Sequence, residues 1–91
     1  MKLDKGFMMR TIIDETILVP IGNKVLDFRA LINLTPVGVF ICSELNEDRT
    51  YQAVLECIIK EYDVDEDIAR QDLTEFLDQL ADFKALEGWP A

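Results

Sequence analysis

The hydrophobic pattern along this chain changes rhythm once. In Lys24–Leu34 (KVLDFRALINL), Leu26, Phe28, Ala30, Ile32 and Leu34 alternate with Val25, Asp27, Arg29, Leu31 and Asn33. That is the period of a strand with one apolar and one mixed face. Two earlier runs read the same way. Phe7–Ile13 (FMMRTII) and Thr16–Ile21 (TILVPI) are rich in large and β-branched residues, which suit a pleated surface. Asp14-Glu15 form the polar turn between them. Gly22-Asn23 supply the positive φ of a tight turn into the third run. Pro20 lacks an N–H and belongs near a strand end or at a bulge. Short turns predict an antiparallel meander in the order 1-2-3, with the third strand on an edge. Residues 1–6 are expected to be loose.

After Leu34 the spacing turns helical. Thr35-Pro36 are an N-cap and a first helical position, opening a broadly apolar helix over 36–45. Within it, Gly38 would admit a close neighbour. Thr50 or Asp48 caps a second helix ending near Tyr62, whose Tyr51, Val54, Leu55, Ile58, Ile59 and Tyr62 keep the helical period. Asp65 is the expected N-cap of a third helix over 66–82, with Glu66 and Asp67 facing the positive end of its dipole. Ala69, Leu73, Phe76, Leu77 and Leu80 form its apolar stripe. Asp72, Glu75, Gln79 and Asp82 lie to one side. The tail from Glu87 is expected to fray, with Trp89 exposed or lightly packed.

Three strands followed by three helices predict an α+β fold. A helix pair with a short turn beside a small sheet suggests a winged helix-turn-helix variant. The 91 residues suit a single domain over 1–91, with its core spanning about 7–86. The net charge of −9 is uneven: residues 1–34 carry +1 and residues 35–91 carry −10. An acidic helical layer repels phosphate backbones and favours a neutral or basic partner. No apolar run reaches the length of a membrane span, and MKLDKGFMMR lacks the features of a signal peptide. A cytoplasmic location is the expectation.

The chemistry is sparse. The chain has no histidine, which removes the commonest general base and metal ligand. Cys42 and Cys57 fall in apolar helical patterns, where a free cysteine acts as a small hydrophobe. They do not form a zinc set. Asp63, Asp65 and Asp67 alternate as in a calcium loop but lack its glycine and distal glutamate. Capping and solvation explain them better. No enzyme activity, cofactor or metal is expected. Binding remains. The third strand carries only Asp27 and Arg29 as charges past Lys24, and no proline blocks pairing. A partner segment could add a fourth strand there, or the edge could be protected by twist, a helix or dimerisation.

In the order and spacing of ILVP-IG, ALINLTPVGVFI, Thr50, Val54-Leu55, IIKEYDVD and DLTEFLDQL, the chain resembles the PqqD family of pyrroloquinoline quinone (PQQ) biosynthesis. It also resembles the wider group of RiPP recognition elements, which bind ribosomally made precursor peptides. The resemblance covers about 7–86 and implies three antiparallel strands with three helices. It implies that a precursor's leader segment docks as an extra strand on the third strand. The domain would then present it to a modifying enzyme such as a radical SAM protein. Carried onto this sequence, the edge is Phe28, Arg29, Ala30, Leu31, Ile32, Asn33 and Leu34. The groove wall is Asp72, Glu75, Phe76 and Gln79, with Ile68 and Phe83. Phe76 also lies on the apolar stripe and could serve as core. An acidic wall predicts a leader with Lys or Arg near its docking hydrophobes. Two positions depart from the family pattern: Cys42 stands where many relatives have Trp, and Lys84 lies near where many have Gly. Relatives serve many peptide classes besides pyrroloquinoline quinone.

Two other functions compete. A structural or dimerisation subunit would pair two third-strand edges into a homodimer. A winged-helix DNA-binding regulator needs a basic recognition helix. Here the third helix holds Arg70 against Glu66, Asp67, Asp72, Glu75, Asp78 and Asp82, so no nucleic acid is expected as partner.

Overall fold

The computed structural model describes residues 1–22 and 32–90. Its elements run β1 (Lys2–Leu3), β2 (Phe7–Ile12), β3 (Glu15–Pro20), β4 (Ile32–Leu34), α1 (Pro36–Glu44), α2 (Tyr51–Tyr62), α3 (Glu66–Asp82) and β5 (Leu86–Glu87). Strands β2, β3 and β4 form an antiparallel sheet in that order, and the three helices follow it. This is the α+β arrangement expected from the pattern. Only the last three residues of the long third run are described, as β4. Asn23 through Leu31, and so part of the turn expected at Gly22-Asn23, lie outside the described residues.

The turn between β2 and β3 falls on Ile13-Asp14, one residue earlier than the polar pair suggested, because Ile12 pairs with Glu15. Ile13 takes a left-handed φ of 58° and is 91% exposed, which costs a β-branched residue. Across the sheet, Leu18 of β3 pairs with Ile32 of β4, and both point into the core. The core is completed by Ile41 and Leu45 around α1, Val54, Leu55 and Ile58 of α2, and Leu73, Leu77 and Leu80 of α3. Cys42 is fully buried there, and burial pushes its thiol up to about 12. Cys57 is half-buried.

The helix starts are held as their sequences require. Thr35 Oγ1 accepts from Gly38 N–H at 3.1 Å, and Thr50 Oγ1 accepts from Ala53 N–H at 3.1 Å. Asp65 occupies the N-cap of α3 without a side-chain bond. Both chain ends correct their expectations. Residues 1–6 are not loose, since Leu3 is buried and β1 pairs with β5. The tail is not frayed over Glu87–Pro90. Trp89 stacks on Tyr51 with centroids 5.4 Å apart, and its Nε1 donates to Asp78 at 2.9 Å. Tyr51 is itself anchored to α3, its hydroxyl lying 3.0 Å from Thr74 Oγ1. Ala91 lies outside the described residues. Among those residues no helix is long and apolar enough to cross a membrane.

Candidate functional site

Strand β4 occupies one side of the sheet. Among the described residues its one strand partner is β3. Ile32 points into the core at 3% exposure, Asn33 is exposed and Leu34 is half-buried. The remaining expected edge residues Phe28, Arg29, Ala30 and Leu31 lie outside the described residues. The chain leaves β4 through Thr35 directly into α1. Whatever docks along β4 therefore meets the start of α1.

A cleft of about 460 Å³ opens there. One wall is the start of α1: Thr35, Val37, Gly38 and Ile41. The other is α3: Asp72, Glu75, Phe76 and Gln79. These four α3 residues stand at helical positions i, i+3, i+4 and i+7, one continuous face. The structure thus brings together four of the six expected wall residues. Ile68 is 55% exposed, one turn N-terminal to Asp72. Phe83 is half-buried at the end of α3 and packs on the core. Neither lines the cleft.

Gly38 permits this geometry. A Cβ on Gly38 would meet the Phe76 ring at 3.2 Å (Cε1) and 3.4 Å (Cζ), and Leu34 Cδ2 at 3.5 Å. Glycine lets Phe76 lie directly over the start of α1 and beside Leu34. Phe76 is both partly buried against the core and part of the cleft wall. The α1 wall is the part that pattern reasoning missed, because Val37 and Ile41 read as ordinary helix core. The available signal was the glycine within an apolar helix.

The cleft is acidic. Asp72 and Glu75 are exposed carboxylates, and no Lys or Arg lines it among the described residues. The one basic residue of α3, Arg70, is engaged elsewhere, its Nε donating to Glu66 at 3.1 Å. That hydrogen bond holds its guanidinium above its ordinary pKa. Among the described residues no group of three or more His, Cys, Asp or Glu is placed to hold a metal ion.

Comparison with known proteins agrees with this architecture. The family model for coenzyme PQQ synthesis protein D (PqqD) matches residues 15–84, from β3 to the end of α3. The chain is also similar to TbiB1, solved in complex with the TbiA(beta) leader peptide. Identity is 30%, each chain is covered in full, and the TM-score is 0.80. Strands β1, β2 and β5 lie outside the family match but within the likeness to TbiB1. No curated protein matches the chain. On a family match covering well over half its length, the chain belongs to the PqqD family.

Proposed function

We propose that this chain is a stand-alone recognition element. It binds the leader segment of a ribosomally made precursor peptide and presents it to a modifying enzyme, of which a radical SAM protein is one type. It works by binding and not by catalysis, in the cytoplasm where precursors are made. The carrying observation is the end-to-end likeness to TbiB1, a protein solved with a leader peptide bound. The acidic cleft beside β4 supports it by offering an apolar floor and a carboxylate rim. In this reading the leader adds as an antiparallel strand to the edge formed by Phe28–Leu34. Main-chain hydrogen bonds supply affinity there. Its side chains enter the cleft between the start of α1 and α3, bordered by Asp72, Glu75, Phe76 and Gln79. Ile68 and Phe83 extend the α3 surface at either end. Which product results, pyrroloquinoline quinone or another modified peptide, depends on the precursor.

The test is a titration of the ¹⁵N-labelled chain with a leader peptide encoded beside its gene, followed by NMR and by fluorescence anisotropy. Saturable binding that shifts the amides of Ile32, Asn33, Leu34, Gly38 and Phe76 is expected. Absence of saturation, or shifts confined to the outer face of β2, would overturn the assignment.

A further inference from the structure

Next to the cleft lies a second, smaller chamber of about 110 Å³. Val37 and Ile41 of α1 and Asp72 of α3 line both spaces, so the two adjoin across these residues. The chamber reaches inward to Ile58 on α2, Val64 in the α2–α3 connection and Leu73 on α3. Ala69, at 1% exposure, forms part of the wall, and its small side chain leaves the space open. Tyr62 also lines it, its ring edge-on to Phe40 with centroids 5.6 Å apart. Asp72 is the one charged residue lining the chamber among those described.

Resting on the peptide-binding function, we propose that this chamber is an anchor subsite for one branched aliphatic side chain, Leu, Ile or Val. A Lys or Arg two residues away in the same docked segment meets Asp72 and Glu75.

Size selects the anchor. A protein cavity of about 150 Å³ lined by Leu, Ile and Phe accommodates a benzene ring. A chamber of about 110 Å³ falls short of that and suits a branched aliphatic side chain. The lining selects polarity, because an unpaired polar group buried among Ile58, Val64 and Leu73 would lose its hydration without compensation. Spacing selects the cation. In an extended segment, side chains on one face recur every second residue, about 6.6 Å apart. On α3, Asp72 and Glu75 are three residues apart, a rise of about 4.5 Å. An aliphatic group seated beside Asp72 therefore leaves its same-face neighbour alongside Glu75. Among the described residues no Lys or Arg lines either space, so a cation on the ligand meets both carboxylates without a competitor from those residues. The recognition pattern is aliphatic-any-cation.

The probes are three pentapeptides, symmetric so that either strand direction presents the same spacing: acetyl-KSLSK-amide, acetyl-KSFSK-amide and acetyl-ESLSE-amide. Each is titrated to about 10 mM against the intact ¹⁵N-labelled chain. The leucine peptide with lysines should shift the amides of Ile58, Ala69 and Leu73, with a midpoint roughly tenfold lower than the phenylalanine peptide. That ratio is of the order a small apolar pocket achieves between misfit side chains. The acidic peptide should fail to shift them. Asp72→Asn, at an exposed position that leaves folding intact, should raise the midpoint of the leucine peptide at least threefold. Ala69→Leu should fill the chamber and abolish the shifts wherever its spectrum remains dispersed. The proposal is overturned if the phenylalanine peptide performs equally, if the acidic peptide matches the basic one, or if no peptide moves these amides. A full leader that still binds along β4 in those cases leaves the peptide-binding function standing. Shifts of the chamber amides by the leucine peptide without any leader binding would sink that function and keep the subsite.

Discussion

Gly38→Ala separates the stability of the fold from the openness of its cleft. The added Cβ would sit 3.2 Å from Phe76 Cε1 and 3.4 Å from Cζ, against an ordinary carbon separation of about 3.5–4.0 Å. The ring must yield by a few tenths of an ångström. Both contacts are at its outer end, so a rotation of roughly 6° about the side-chain torsions suffices, well below the ~30° excursion that costs about 0.5–1.5 kcal/mol. Phe76 is half-buried and borders open space, so it has room to move. Leu34 Cδ2 at 3.5 Å is already an ordinary contact. On the other side, replacing glycine by alanine in a helix gains up to about 1 kcal/mol. The Thr35 cap uses the Gly38 backbone N–H, which alanine keeps. Stability should change by less than about 1 kcal/mol, within roughly 4–8 °C in Tm for a domain of this size.

Binding should respond differently. The methyl displaces the Phe76 ring, which walls the cleft, so a docked peptide meets a shifted wall, and a misfit of about 1–3 kcal/mol is roughly 5- to 150-fold in Kd. Thermal denaturation by circular dichroism and anisotropy with a fluorescein-labelled leader peptide read the two quantities. A Tm loss beyond about 10 °C would mean that Phe76 is locked as core and cannot yield. An unchanged Kd with an unchanged Tm would mean that the peptide does not rest on the Phe76 ring. Either result refutes the reasoning.

The remaining expectations concern the frame around the cleft. Lys84 ends α3 in a left-handed conformation, φ 59°, and Lys84→Gly removes about 1–2 kcal/mol of strain against about 0.5–1 kcal/mol of chain entropy; Tm should rise by a few degrees, and a fall would contradict this. Trp89→Ala loses both the Tyr51 stack and the Asp78 hydrogen bond, so urea denaturation should show a loss of about 1–2 kcal/mol, whereas an unchanged midpoint would show that the terminal clasp contributes nothing. The folded Cys42 thiol stays protonated up to about 12, while the unfolded thiol ionises near 9, so the unfolded state binds fewer protons between these values. Stability should therefore fall as pH rises through that window, and Ellman's reagent at pH 8 should reach Cys42 only on unfolding; rapid labelling of Cys42 in the native chain, followed in a Cys57→Ser background, would show that the site is open.

How much of this was legible in advance follows from how each part encodes itself. The helices declare themselves by their caps, and α2 and α3 by period as well: Thr35 and Asp65 stand at the N-caps of α1 and α3 as expected, and of the two candidates Thr50 and Asp48 it is Thr50 that caps α2. The β1–β5 clasp carries no such signal. A two-residue strand has no period, and its pairing joins residues more than eighty positions apart. The turn at Ile13 was misplaced by one residue because polarity pointed to Asp14-Glu15, while the register Ile12 to Glu15 left an isoleucine in the left-handed position. Lys84 shows the converse. The position near which relatives carry glycine is one where the backbone here is left-handed, so the departure from the family pattern marks a strained residue.

The cleft was half legible for a related reason. Its α3 wall is a polar face with one aromatic, and helical spacing alone aligns Asp72, Glu75, Phe76 and Gln79. Its α1 wall is made of Val37 and Ile41, which look the same whether a helix covers them or solvent reaches them. What distinguishes the two cases is Gly38. A glycine costs a helix stability wherever it sits, so in an apolar helix it needs a steric reason, and here the reason is the Phe76 ring at 3.2 Å. The ring that fills the place of the missing side chain is also a wall of the cleft, so a side chain added at position 38 must move the surface a peptide would meet.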